Sequence, residues 1–264
     1  MTGPTPMTEL DKSNIWLELK LCLGLLTRLP VSVDVSVPPS LMARSSRWFP
    51  AVGVLVGLLS ACALFLCLLA GLPNTVAALI AIGLSIMLTG ALHEDGLADV
   101  ADGFGGGADR EAKLDIMRDS RIGAYGVLAL VLTVGLKAAL LVALLNMGFG
   151  AAAVAIIVAA STSRLTPVLL MNRLPMARSD GMAVNAGRPD TASVRIACGL
   201  ALTSLLVLTG WQAMLITTIA SLAACSAIGA LARRQIGGQT GDVLGAGQQI
   251  TEICVLIGLV AVGP

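Results

Sequence analysis

The sequence predicts an all-α fold, a polytopic integral membrane bundle of about seven transmembrane helices preceded by an N-terminal interfacial or re-entrant helix. Three observations carry this prediction. Of 264 residues, 56% are hydrophobic and only 12% charged, with a mean hydropathy of +0.88, whereas an ordinary soluble domain carries about 25% charged residues. Residues 48–92 and 196–232 contain no Asp, Glu, Lys or Arg, and a span needs roughly 20 apolar residues, so each stretch can hold two. The cations, finally, are confined to a few short segments.

The elements follow in order. Residues 13–29, SNIWLELKLCLGLLTRL, are short for a span and carry Glu18, Lys20 and Arg28, which suits a helix lying in the interface or re-entering it. Spans are expected at 48–70 and 74–92, divided by GLPN, and at 123–145 and 150–171, divided by NMGFG. A third pair, 196–209 and 211–232, is divided around TGW, and a last short span covers 250–263. All are helical because lipid offers no partner to a free backbone N–H or C=O. With no internal repeat, the chain reads as one membrane-embedded domain, 1–264, with a polar segment at 1–12. That polar, acidic start also predicts no cleavable signal peptide.

Charge asymmetry orients the bundle. Of 17 Lys and Arg, five lie in residues 1–47, four in 93–122, four in 172–195 and two in 233–249, leaving only Lys137 and Arg164 inside spans. By the positive-inside rule these four segments share the cytoplasmic face of a bacterial inner membrane. Every segment able to do chemistry therefore faces one compartment. Arg164, near the cytoplasmic end of its span, is a candidate to reach a phosphate, with snorkelling as the alternative. Lys137, nearer the opposite face, is expected to snorkel. A net charge of +1 with three Trp, one Tyr and four Phe offers nothing for nucleic acid. The six scattered cysteines read as small buried hydrophobes.

The chemistry concentrates in HEDGLADVADGFGGGADR, residues 93–110. Asp95, Asp99 and Asp102 fall at i, i+4 and i+7 and share a face if the segment is helical. Like charges so spaced repel, and hard oxygen ligands on one face suit Mg²⁺ or Mn²⁺ together with substrate phosphates. His93 and Glu94 stand beside them as a general base or as supporting groups. Gly96, Gly103, Gly105, Gly106 and Gly107 are expected to let a bulky anionic ligand approach the backbone. Arg118 and Arg121 further along are candidates to bind phosphate. Two more cytoplasmic loops carry candidates. NRLPMARSDGMAVNAGRPD (172–190) contains Arg178. RRQIGGQTGDVLGAGQQITE (233–252) places Thr240 and Asp242 among glycines at a helix start, a setting for phosphate or metal. The alternative for Asp242 is a helix N-cap of the last span.

HEDGLADVADGFGGGADREAKLDIMRDSRIGAYGVLAL resembles the signature of the adenosylcobinamide-GDP ribazoletransferase, or cobalamin synthase, family. LTRLPV (26–31), RWFPAVGVLVG (47–57) and GGQTGDVLGA (237–246) resemble its other landmarks in the same order, so the likeness spans nearly the whole chain. Glu94 departs from the pattern, which is expected to carry an apolar residue there.

The resemblance implies a Mg²⁺-dependent inner-membrane enzyme of late vitamin B12 assembly. It would join adenosylcobinamide-GDP to α-ribazole, or α-ribazole 5′-phosphate, and release GMP. In that setting Asp95, Asp99, Asp102 and Asp242 would hold metal, with Asp242 alternatively placing the nucleotide. Arg118, Arg121 and Arg178 would steady the diphosphate, and one of the aspartates or His93 would serve as base. The alternatives are a lipid enzyme like the CDP-alcohol phosphotransferases and an ion-coupled transporter. The transporter predicts acids deep within the spans, where the expected spans hold only Glu252. Oligomeric assembly is left open.

Overall fold

The computed structural model describes residues 14–31, 37–181 and 186–263; the polar segment expected at 1–12 lies outside them. Eleven α-helices of four or more residues account for nearly all of the described chain. They are α1 (Ile15–Leu26), α2 (Pro39–Ser45), α3 (Phe49–Leu69), α4 (Asn74–Thr89), α5 (Leu92–Gly106), α6 (Arg110–Ile116), α7 (Ala124–Met147), α8 (Phe149–Ser163), α9 (Leu165–Arg173), α10 (Thr191–Ile236) and α11 (Gly241–Val262). The only β pairing among the described residues is one isolated parallel bridge, Met176 with Gln239.

Five segments are long and apolar enough to cross a membrane: Pro39–Leu69, Ala124–Met147, Phe149–Arg173, Thr191–Ile236 and Gly241–Val262. The bent pair α4–α5 makes a sixth if counted as one. The 46-residue α10 is not one straight rod, because Gly210 sits at φ 80, ψ 177. Leu202 and Leu222 line the same small cavity with Thr166, although a straight helix would hold them about 30 Å apart. The chain therefore doubles back at Gly210, and both apolar limbs expected at 196–209 and 211–232 are present. Phe149–Arg173 is interrupted at Arg164, between α8 and α9, because Pro167 has no N–H and its ring crowds the carbonyl four residues back. The last helix begins at Gly241, well before the expected 250.

Small residues set the tightest contact. A Cβ on Gly53 would lie 2.3 Å from the Ala160 carbonyl oxygen, and one on Gly57 2.6 Å from the Ile157 Cα. Glycines four apart thus bring α3 and α8 backbone to backbone, the small-xxx-small packing of membrane helices. At the N-terminus, Glu18 is fully buried rather than facing an interface. It accepts hydrogen bonds from Arg44 Nε (2.9 Å), Arg47 Nε (2.8 Å) and Trp48 Nε1 (2.8 Å), which clamps α1 onto the start of α3.

The corner that creates the site lies between α4 and α5, whose axes meet at 90°. Gly90 (φ 63) and Ala91 (φ 58) are both left-handed. A Cβ at Gly90 would strike the Arg28 side chain at 2.1 Å, while the Arg28 N–H donates to the Leu88 carbonyl at 2.7 Å. Arg28 of LTRLPV therefore buttresses the corner. The aspartate segment thus leaves the axis of its span.

The cysteines are free, but only Cys22 and Cys225 are buried; Cys62 is exposed and the others intermediate. Scattered cysteines in apolar spans face lipid as readily as neighbouring helices.

Candidate active site

Asp95, Asp99 and Asp102 do lie on one helix, α5, and the structure says what that helix packs against. A Cβ on Gly96 would sit 2.8 Å from the Asp242 carbonyl oxygen and 3.0 Å from its Cα, and one on Gly245 3.2 Å from the His93 Cα. Two facing glycines thus let α5 and the first turns of α11 touch, bringing the α5 carboxylates to Asp242. The glycines were expected to admit a ligand; Gly96 does line the cavity described below, but protein atoms take the space beside most of them. Gly96 is filled by Asp242 backbone, Gly103 by Met117 and Lys113, Gly105 by the Tyr125 ring and Gly107 by Lys113; Gly106 makes only an ordinary contact with Ile116. They admit the protein's own elements. Gly96→Ala is expected to abolish activity, because the opposing atoms are backbone and cannot rotate aside. A variant that turns over normally would remove the crossing from the site.

A second pairing brings in the arginine. At the bridge, the Ala177 N–H donates to the Gln239 carbonyl and the Gln239 N–H to the Pro175 carbonyl, both at 2.9 Å. A Cβ on Gly238 would overlap the Pro175 carbonyl oxygen, so glycine is required there. Arg110, which the sequence reading passed over, ties the two loops to α6: its Nε donates to the Ile236 carbonyl at 2.9 Å and its Nη2 to the Ala177 carbonyl. Arg178 is thereby set against Asp242, Nη2 to Oδ2 at 3.3 Å, with its Nη1 buried and without a partner among the described residues.

These groups open into one cavity of about 310 Å³, the size of a small-molecule site. His93, Asp95, Arg178 and Asp242 form its polar side, while Leu25, Phe49, Leu92 and Met171 are among its apolar side. Gly241, beside which an added Cβ would meet open space, exposes the N-terminus of α11 to it, a setting that favours an anion. Asp99 is half-buried. Burial first, then the charges of Asp242, Asp95 and Asp102, push it up to about 7 against the pull of Arg178. Carboxylates that oppose one another's ionisation are hard oxygen donors that a divalent cation would relieve. Among the described residues no three His, Cys, Asp or Glu side chains form a closed metal cluster. The donor set fits Mg²⁺ completed by substrate phosphate, which needs only one or two carboxylates.

The other candidates fall elsewhere. Asp102 is 9% exposed, and its two oxygens accept the Gly123 N–H (2.7 Å) and the Gly126 N–H (2.9 Å). It holds the start of α7, and side chains at either glycine would collide with it. Thr240, not Asp242, is the N-cap of α11, accepting the Val243 N–H and donating to Asp242 Oδ2 at 3.1 Å. Arg118 and Arg121 are not among the cavity's lining groups. Arg118 pairs with Asp180 at 2.7 Å and Arg121 with Asp119 at 2.7 Å, all of them outside the core.

Arg164 is 2% exposed and donates to the Ala160 carbonyl at 2.8 Å, with its Nε unpartnered. It neither snorkels nor lines the cavity. Lys137 does not snorkel either: it is buried and binds Gln249 Oε1 and Glu252 Oε2, each at 2.7 Å. Glu94, drawn into the same interior, accepts from Gln249 Nε2 at 2.9 Å. Acids therefore do lie deep in the bundle. The signal that could have revealed this was the pair Gln248–Gln249, two amides inside an otherwise apolar stretch.

The described residues thus form an all-helical membrane bundle in which carboxylates and an arginine from segments distant in sequence line one cavity. The profile of the family described as cobalamin-5-phosphate synthase matches residues 18–260. Among similar proteins, the adenosylcobinamide-GDP ribazoletransferase of Azorhizobium caulinodans is 47% identical over 94% of this chain and 96% of its own. Those of Bradyrhizobium diazoefficiens and Brucella canis are each 41% identical, over 96% and 90% of this chain and 96% and 94% of theirs. No solved structure matches. The chain belongs to the cobalamin-5-phosphate synthase family, transferases of cobalamin biosynthesis.

Proposed function

We propose that this enzyme joins adenosylcobinamide-GDP to α-ribazole, or α-ribazole 5′-phosphate, at the cytoplasmic face of the bacterial inner membrane, releasing GMP. The observation that carries this reading is the meeting of Asp95, Asp242 and Arg178 in one cavity whose other side is apolar, with Asp99 near enough for their charges to act on it. A ribazole hydroxyl oxygen bonds to the phosphorus next to the cobinamide, the bridging bond to GMP breaks, and the hydroxyl proton passes to a base.

The chain's own groups have separable parts in this. Asp95, Asp99 and Asp242 would hold Mg²⁺, which when bound supplies charge against the diphosphate oxygens and steadies the leaving oxygen. Arg178 donates its free N–H to the diphosphate, and the N-terminus of α11 adds backbone donors. The apolar lining takes hydrophobic parts of the substrates and excludes water. His93, which lines the cavity, is placed to accept the hydroxyl proton. Asp102 and Thr240 act by fixing α7 and α11, Arg118 by pairing its loop with Asp180, and Arg121 by bracing its own turn through Asp119.

The test is purified protein with adenosylcobinamide-GDP, α-ribazole and Mg²⁺. Release of GMP matched by a corrinoid joined to the nucleoside is expected, and EDTA should stop it. GMP without the joined product would mean hydrolysis and defeat the reading. Orientation is tested separately: cysteine reporters at Ser120, Ser179 and Arg234 should all label from the cytoplasm, and one at Asn74 from the other side, because the cations cluster with the first three. Labelling of Ser120 from outside would overturn a cytoplasmic site.

A further inference from the structure

Glu94 lies in the aspartate segment, yet neither the main cavity nor the proposed chemistry uses it. It is 9% exposed on α5, directly before Asp95. Its Oε1 accepts from Gln249 Nε2 at 2.9 Å. Gln249 is held in turn by Lys137 Nζ at 2.7 Å on its Oε1, and its Nε2 also donates to Gln248 Oε1 at 2.9 Å. Lys137 binds Glu252 at 2.7 Å, and Gln248 Nε2 donates to Ser163 Oγ at 2.8 Å and to Glu252 at 3.1 Å. One chain of bonds thus joins α5, α7, α8 and α11 inside the bundle, where unpaired polar groups are costly.

The Glu94–Gln249 bond lies one helical turn from the Gly96–Gly245 contact, on the same α5–α11 crossing. The other Glu94 oxygen is buried with no partner among the described residues. Glu94 borders a cavity of about 30 Å³ whose lining includes Lys137, Glu252, Ser60 and Ser85. That volume and that polarity suit one or two bound waters, which would satisfy the free oxygen. Glycine contact lets the two helices approach but does not set how far one slides along the other. A directional bond does.

We propose that Glu94 is a positioning residue: through Gln249, with water in the adjoining cavity, it fixes the register of α5 on α11 and so the spacing of Asp95 and Asp99 from Asp242. The proposal rests on the reading that these aspartates share a metal-dependent site. Groups that orient metal ligands cost 10–100-fold in metal affinity or activity when removed.

Glu94→Leu is expected to raise the Mg²⁺ concentration for half-maximal turnover by about tenfold or more and to lower kcat, with KM for adenosylcobinamide-GDP little changed. Glu94→Gln, which can still accept from Gln249, should lose far less. Gln249→Glu sets two carboxylates face to face and should be as damaging as Glu94→Leu. The double variant Glu94→Gln/Gln249→Glu restores a donor–acceptor pair in reverse and should recover turnover, which a general packing role would not predict. Mn²⁺ affinity, titrated by EPR on the solubilised variants, gives a readout that needs no turnover. Unchanged Mn²⁺ affinity in Glu94→Leu, or a well-folded double variant no better than Gln249→Glu, would overturn the strut. A wild type that binds Mn²⁺ but transfers nothing would instead overturn the proposed activity and leave the strut to be judged on the Mn²⁺ series.

Discussion

Asp95→Asn and Asp99→Asn are expected to abolish GMP release while the protein still inserts and folds. Each substitution keeps size and removes a carboxylate from a cluster in which burial and the charges of Asp242, Asp95 and Asp102 already push Asp99 up. The folded protein should lose nothing in stability, since repulsion is relieved, but the cation that offsets the diphosphate loses its ligand. Thermal unfolding separates this from Asp102→Asn. There an amide nitrogen would face a backbone N–H of Gly123 or Gly126 in place of an accepting oxygen, and about 1–2 kcal/mol of stability should go with the lost anchor. Asp95→Asn and Asp99→Asn variants that both keep normal turnover and Mg²⁺ dependence would show that these carboxylates are not ligands.

Asp242→Ala is expected to lower turnover by on the order of a hundredfold or more, about 2.7 kcal/mol in barrier. Two partners lose their acceptor, Arg178 Nη2 and the Thr240 hydroxyl, and the α5 carboxylates lose the group across the helix crossing. Stability should change little, because the cap of α11 is Thr240 and survives. Thr240→Ala should show the reverse, about 1 kcal/mol less stable with turnover per folded molecule largely kept. Rescue of Asp242→Ala by raised Mg²⁺ identifies a ligand, and rescue by raised adenosylcobinamide-GDP identifies a nucleotide contact. Normal turnover per folded molecule would remove Asp242 from the site.

The helical bundle was legible because lipid permits few backbone solutions, so apolar length alone locates α3, α7 and both limbs of α10. The shared face of Asp95, Asp99 and Asp102 was legible because helical spacing is local. What the three do was not. Spacing along one helix cannot say that Asp102 is consumed by two amides of α7 while Asp95 opens into a cavity.

The partners of the arginines were not legible for the same reason. Arg118 and Arg121 stand in the signature segment, yet nearby acids, Asp180 and Asp119, take them. Arg178 reaches the site because two loops more than sixty residues apart pair at Met176 and Gln239. Lys137 looked like a snorkelling cation and Arg164 like one that reaches a phosphate or snorkels, sound defaults for isolated charges in lipid. Glu252 and Gln249, over a hundred residues from Lys137, are what keep it inside.

By itself, then, the sequence determined the class of fold and the family, since composition, helical period and ordered motifs are properties of the chain read locally. Tertiary structure alone decided which carboxylates meet across chain elements, which guanidinium is left free beside them and what the glycines are for. Those depend on backbone approach between helices distant in sequence, at Gly96 on Gly245 and Gly238 on Pro175, and a missing side chain does not announce which neighbour will occupy its place.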